Sequence, residues 1–293
     1  MALTAATNTL SLRMQQSLTA NTAVQNQKTA SLSSGQAVNT AKDDPANLQI
    51  SERYTSQIDC TVRGNKNSDE GMAVAVLAEQ SLGEITELLQ RIRVLSIEAA
   101  NGTYASADRQ AIQQEALQLS NEITRIACKT TYGGAQLLRG AGHGIINDQG
   151  NLELQVGANA NNTMQVKLDA SFALSDLNDT VGGLGIGYDA QQKCFDLTTQ
   201  DKAQAVLAGI DDFITYVDGR RAEAGSVAQR LESTIRNQSN VHENESGARS
   251  RMRDADFAKE TAELTAARIS TDISAQMLLQ ANTQPNFVLS LLR

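Results

Sequence analysis

The chain has 293 residues, enough for one large or two modest domains. Aromatic residues make up 3% of it, tryptophan is absent, and there are only 2 His and 2 Pro, so long helices packed through alanine and aliphatic side chains fit better than a bulky aromatic core. A net charge of −8 argues against nucleic acid, where a basic patch supplies most of the affinity, and against anionic lipid surfaces.

The N-terminal segment 1–33 carries a sparse apolar stripe of Leu3, Leu10, Met14, Leu18, Val24 and Leu32, interrupted by Thr7, Asn21 and Lys28. So narrow a seam gains about 1.5–3 kcal/mol per large side chain. That gain must offset about 1–2 kcal/mol of backbone entropy for every ordered residue. The segment is therefore expected to be mobile alone and ordered by neighbours. It has no basic leader, compact apolar run or small-residue cleavage site. That points to a cytosolic protein, or to an export route that leaves no such mark. No stretch is apolar enough for membrane insertion.

Asp43-Asp44-Pro45 reads as an acidic N-cap with proline at the first helical position. A helix is expected from Pro45 to about Ala100, with Leu82, Ile85, Leu89, Ile92, Leu95 and Ala99 at helical spacing. Gly64, Gly71 and Gly83 weaken it by about 1 kcal/mol each relative to alanine. Asn101-Gly102 reads as a left-handed helix stop. A second helix, about Ser106 to Cys128, carries Ile112, Ala116, Leu119, Ile123 and Ile126 at a heptad-like spacing, with Asp108 in its first turn.

From Tyr132 to about Leu197 the chain turns rich in Gly, Asn and Asp. Leu152, Leu154 and Val156 alternate with polar residues, as do Met164, Val166 and Leu168, which predicts a β-hairpin around GANANNT. GIGYDAQQKCFDL reads as a weaker second hairpin. Helical period returns near Asp201 with Ala203, Val206, Ile210, Phe213 and Val217, then Ala224, Ala228, Leu231 and Ile235, reaching about Gly247. After the charged ARSRMRDAD a last helix bears Ala262, Ala266, Ile269, Ile273 and Met277. Matching seams on the terminal helices should pack side by side. The expected fold is mainly α, a long antiparallel helical bundle or coiled coil built from both termini, with a small β-hairpin region in the middle. The tail QPNFVLSLLR places Phe287, Val288, Leu289, Leu291 and Leu292 at a chain end, and an apolar end needs something to cover it.

Signals for chemistry are weak. His143 and His242 have no His or Cys at metal-ligand spacing, and HExxH and CxxC do not occur. GGLGIG (182–187) lacks the dinucleotide-loop spacing and the strand before it, so no cofactor is expected. Asp43/Asp44 and Asp211/Asp212 read as caps and solvated faces rather than catalytic carboxylates. Asn161, Asn178 and Asn237 begin Asn-x-Ser/Thr triplets, which occur by chance in an Asn-rich chain. Cys60 and Cys128 fall ~27 Å apart along an antiparallel hairpin, too far for a disulfide, so free thiols are expected, with Cys194 left open. No enzyme is expected.

Several runs resemble bacterial flagellin: LSSG (32–35), AKDD (41–44), LQRIRVLSIEAANGT (89–103), LELQVGAN (152–159), ARSRMRDADF (248–257) and VLSLLR (288–293). The resemblance implies a subunit exported unfolded by the flagellar type III route, secreted, and polymerised into the extracellular flagellum filament. It implies an inner coiled-coil layer from 1–33 and 259–293, connectors at 34–44 and 254–258, and a helical bundle over 45–253 with an insert at about 132–200. Large surface domains look absent. The assembly interface would draw on Leu3, Leu10, Met14, Leu18, Ile269, Ile273, Met277, Phe287, Val288, Leu289, Leu291 and Leu292. Partners would be copies of itself, the export chaperone, and cap and junction proteins. In family members recognised by the mammalian receptor TLR5, the contact maps onto Arg91, Leu95 and Glu115, which serve equally as a protofilament interface. A hook–filament junction protein shares the terminal helices, but VLSLLR speaks against it. A signalling coiled coil would need unbroken heptads without a β insert. The Pro in DDPAN, the position of Pro285, GARSR and the cysteines depart from the common flagellin pattern.

Overall fold

The computed structural model of the protein describes the backbone of residues 8–291 and the side chains of residues 8–284. The chain divides into two compact units, one of residues 1–58 with 243–293 and the other of residues 59–242. Helix α2 (Pro45–Ala100) and helix α5 (Gln200–Arg253) each run through both.

In the unit 59–242, α2 pairs with α3 (Ser106–Lys129) and with the first part of α5. The stripes read from the sequence become its core. Leu82, Ile85, Leu89, Ile92 and Ala99 meet Ile112, Ala116 and Ile123 and then Val206, Ile210, Phe213 and Val217, all buried. Phe195 and Phe213 pack edge to face at 5.7 Å between centroids. The hairpin is β3 (Asn151–Gln155) with β4 (Thr163–Lys167), antiparallel and in register Leu152↔Val166. Its β4 face alternates, with Met164 and Val166 buried and Thr163, Gln165 and Lys167 exposed. The weaker hairpin shrinks to the pair β5 (Tyr188–Asp189) and β6 (Cys194–Phe195). Gln113 of α3 fastens β6, donating to the Phe195 carbonyl at 2.9 Å and accepting from the Leu197 N–H at 2.5 Å.

Sequence reasoning missed the short pair β1 (Thr131–Tyr132) with β2 (Ala135–Gln136), helix α4 (Leu174–Val181) and the 3-10 turn Gly185–Gly187. Only Leu174 and Leu177 of α4 are buried, too few positions to register as a period. Two glycines that appeared to weaken α2 have a packing reason. A Cβ on Gly64 would overlap the Val156 carbonyl, and one on Gly71 would overlap Leu154. The hairpin lies against α2 because those positions are bare. Asn67 Nδ2 donates to the Gln155 carbonyl at 2.9 Å, and Gln238 Nε2 of α5 bonds the Val156 carbonyl.

In the other unit, α1 (Thr9–Ser34) and α6 (Phe257–Leu291) pair. Asn8 Oδ1 accepts from the Ser11 N–H at the start of α1, and Gly35, at φ 71°, ends it in the left-handed region. Short antiparallel contacts then tie the chain to the end of α5. Ala37 N–H donates to the Arg253 carbonyl at 2.7 Å, and Ala255 N–H to the Gly35 carbonyl at 3.0 Å. Arg253 also reaches Gln36 Oε1 at 3.0 Å and Glu52 Oε1 at 2.7 Å. Asp44 caps α2 as read, accepting from the N–H groups of Ala46 and Asn47 at 3.0 Å each. Asp43 instead ties the connector loop, its carboxylate accepting from Thr40, Asn39 and Gln27 and held below the usual range chiefly by the Thr40 N–H.

One boundary and one helix stop differ from expectation. Helix α5 continues through Gly247 and ARSRMR to Arg253, because an isolated glycine costs about 1 kcal/mol without breaking the hydrogen-bond ladder and arginine is a good helix former. Helix α2 does stop at Ala100, but neither Asn101 nor Gly102 takes a positive φ. The end is capped by a side chain: Arg109 donates to the carbonyls of Ala99 at 2.8 Å and Asn101 at 3.0 Å. All three cysteines are free, Cys60 exposed and Cys194 buried. Burial pushes the Cys194 thiol up to about 11.

Candidate assembly surfaces

The α1–α6 seam is polar. From α1 it takes Ser11, Met14, Leu18, Asn21, Gln25, Lys28 and Ser31, each half-buried or buried. From α6 it takes Glu260, Ala267, Ser274 and Ala281, buried at seven-residue intervals. Asn8 Nδ2 donates to the Ala281 carbonyl at 2.8 Å, and Asn21 Nδ2 to Ser274 Oγ at 2.9 Å. Lys28 bridges Glu260 at 3.2 Å and Glu263 at 2.5 Å. Numbers rise along one helix as they fall along the other, so the pairing is antiparallel. The hydrogen bond to Glu263 raises the Lys28 pKa, and that same bond lowers the Glu263 pKa. Glu260 Oε2 is buried without a partner.

Here the expected stripe is corrected. Ile269, Ile273 and Met277 do not face α1; they are 55%, 55% and 50% exposed, and Phe257 is 59% exposed. The cause is size. Two helices come close where alanine and serine lie between them, and the bulky stripe falls on the opposite face. That face runs along α6 from Phe257 through Ala262 and Ala266 to Ile269 as an open, mostly apolar surface. Of the other expected interface residues, Met14 and Leu18 are half-buried in the seam and Leu10 is exposed. Leu3, Phe287, Val288, Leu289, Leu291 and Leu292 lie outside the residues whose side chains are described. Sequence reasoning missed Lys28, Glu260, Ser274 and Ala281. The seven-residue recurrence from Glu260 to Ala281 was visible, but apolar periodicity looks past small and charged residues.

The second surface lies on the other unit. Arg91 of α2 forks onto Glu115 of α3, with Nη2 at 2.8 Å and Nε at 3.0 Å from Oε1. Both side chains are about half exposed. Leu95, grouped with them from sequence, is corrected as a surface residue: it is 2% exposed and belongs to the core. Four residues on from Arg91, it is rotated about 40° round α2 towards the core side, in line with Ile92 and Ala99. Val94, three residues on from Arg91, is exposed, as is Ile97 further along α2. Arg93 bridges to Asp211 of α5 at 3.0 Å. Exposed pairs of this kind contribute about 0.2–1 kcal/mol each, so they leave the surface free to exchange partners.

Among the described residues no group of three or more His, Cys, Asp and Glu side chains could hold a metal ion, and no helix is long and apolar enough to cross a membrane. The profile of the bacterial flagellin N-terminal helical region fits residues 6–143, and that of the C-terminal helical region fits residues 207–292. Together they span the core stripes and both terminal helices. The chain belongs to the bacterial flagellins. This flagellin is 37% identical to flagellin of Bacillus subtilis, with 98% of each chain covered. It is 31% identical to flagellin E of Vibrio cholerae over all of both chains. A putative flagellar hook-associated protein from Vibrio parahaemolyticus, at 16% identity, has the same fold over 72% of this chain and 99% of its own, with a TM-score of 0.57. This flagellin is a structural subunit of the flagellar filament.

Proposed function

We propose that copies of this flagellin join by burying the outward stripe of α6, namely Phe257, Ile269, Ile273 and Met277, against neighbouring subunits. The observation that carries the reading is the exposure of that stripe while α1 already occupies the opposite face. Leu10 extends the surface, Met14 and Leu18 support it from the seam, and the apolar tail from Phe287 to Leu292, together with Leu3, completes it. Such contacts are heterologous and do not close, so they generate a helical polymer.

In this reading, residues 1–33 and 259–293 form the inner layer, 34–44 and 254–258 connect, and 45–253 form the outer helical layer. The chain travels unfolded through a narrow export route, orders its ends on assembly and ends in the extracellular filament. An export chaperone, a cap and junction proteins are the partners on that path. The role is structural and no catalysis is assigned. Arg91 and Glu115 form a second contact surface, between protofilaments or with a host receptor, with Leu95 supporting it from beneath.

The test is seeded growth. Ile273→Asp should leave the helical content of the monomer unchanged and stop elongation from short filament fragments, followed by electron microscopy. Elongation at the wild-type rate would exclude the stripe as the joint.

A further inference from the structure

The turn between α2 and α3 holds the one Asn-Gly dipeptide in the chain, Asn101-Gly102, both residues exposed. Asparagine followed by glycine is the least hindered setting for attack of a backbone nitrogen on a side-chain amide, because glycine has no Cβ. Three details single out this turn. Asn101 Oδ1 accepts from the Thr103 N–H at 3.2 Å, which folds the side chain forward along the Gly102 peptide. Among the described residues the Gly102 N–H has no hydrogen-bond acceptor, and nothing lies within 4 Å of the place a Cβ would occupy there. Arg109 Nη2 donates to the Asn101 main-chain carbonyl at 3.0 Å, while its Nε fixes the guanidinium on the Ala99 carbonyl at 2.8 Å.

We propose that Asn101 is a site of spontaneous deamidation, and that Arg109 directs the product to isoaspartate. The Gly102 nitrogen gives up its proton and bonds to Asn101 Cγ. The Cγ–Nδ2 bond breaks and ammonia leaves with that proton, giving a five-membered succinimide. Water then opens the ring at one of two carbonyls, and nothing is oxidised or reduced. Opening at Cγ gives aspartate. Opening at the former main-chain carbonyl routes the chain through Cγ and frees a carboxylate at the old carbonyl position. Arg109 already donates to that oxygen. It polarises that carbonyl towards water, then forms a charge-assisted pair with the carboxylate it becomes. The other anions near the turn are Glu98, which accepts from the Tyr104 hydroxyl, and Asp108, which accepts from the Ala105 N–H, so Arg109 is the cation bonded to the reacting carbonyl. The modification lengthens the α2–α3 link by one backbone atom and adds one negative charge at its tip.

The experiment incubates the full chain at mildly alkaline pH and follows peptides spanning the turn by mass spectrometry, with fragmentation that separates isoaspartate from aspartate. A synthetic peptide of residues 94–108 serves as the unfolded control. The wild-type chain should gain about 1 Da at Asn101, with a larger isoaspartate share than the peptide, and Asn101→Gln should gain nothing. Arg109→Gln should roughly halve the isoaspartate share while deamidation continues, and Arg109→Lys should fall between, because a single donor replaces the fork. Hydrogen exchange across residues 98–106 checks that the turn survives in each variant. An intact chain that stays unmodified while the peptide converts overturns the site. A product ratio indifferent to Arg109, with the turn intact, overturns the directing role.

Discussion

The unit 59–242 and the paired terminal helices are both built on helices with residues at spacings of three and four, yet they bury opposite kinds of side chain. The first encloses Leu82, Ile85, Leu89 and Ile92 with Phe172, Phe195 and Phe213, so its stripes are used up within one copy. The seam of the second encloses Ser31, Glu260, Ala267, Ser274 and Ala281, while Leu10, Phe257, Ile269, Ile273 and Met277 remain in water. The contrast separates stability from assembly. Burying a large side chain contributes about 1.5–3 kcal/mol, and the first unit applies that to its own fold. The second holds its pairing with hydrogen bonds worth about 0.5–1.5 kcal/mol each and keeps its apolar surface for other copies.

The comparison breaks most sharply under truncation. Deleting 280–293 should abolish filament growth altogether in electron micrographs while urea unfolding of the unit 59–242 stays in place; fibres from the truncated chain would refute the division of labour. Point substitutions sharpen it. Phe213→Ala should destabilise the monomer by about 3–5 kcal/mol, because it opens a cavity in a closed core. Ile273→Ala should shift monomer unfolding by no more than about 0.5 kcal/mol, as expected of a surface site, while slowing elongation. Equal effects of the two on urea midpoints would erase the distinction. Between these two falls Gly71→Val, expected to cost the monomer about 1–3 kcal/mol by pushing Leu154 and the hairpin off α2. An unchanged midpoint would mean the hairpin is not seated there.

The smallest expected effect is a pH dependence confined to the terminal pair. Glu263 has its folded pKa below 4.5, so its contribution is complete above that value and fades as pH falls through the lowered pKa. Lys28 has its folded pKa above 10.5, so its contribution is complete below that value and fades as pH rises through the raised pKa. Pairing of α1 with α6 should therefore be flat through neutral pH and loosen at both extremes. Chemical shifts of Ser274 and Ala281 should report both limbs in the wild type and lose them in Lys28→Met; limbs that persist would assign the titration elsewhere.

What was legible in the sequence follows the same line. Wherever large apolar residues recur and are buried, as from Leu82 to Ala99 or Ala203 to Val217, the period places the element and the face correctly. The hairpin follows from strict alternation in Leu152–Val156 and Met164–Leu168. Sequence periodicity fails where small or charged residues do the packing. Glu260, Ala267, Ser274 and Ala281 form the true α6 seam, and the conspicuous Ile269 and Ile273 stripe faces away from it. Leu95 shows the reverse error: motif membership put it beside Arg91, whereas helical phase buries it. Gly64 and Gly71 look like weak points in a helix read alone and become contact points once the hairpin arrives, a long-range fact that local spacing does not hold.

Hydrogen–deuterium exchange on monomer and filament side by side tests the central claim most directly. The account predicts that residues 9–34 and 257–284 exchange rapidly in the monomer and become protected in the filament, while 82–127 is protected in both. Terminal helices already protected in the monomer, and unchanged on assembly, would contradict it.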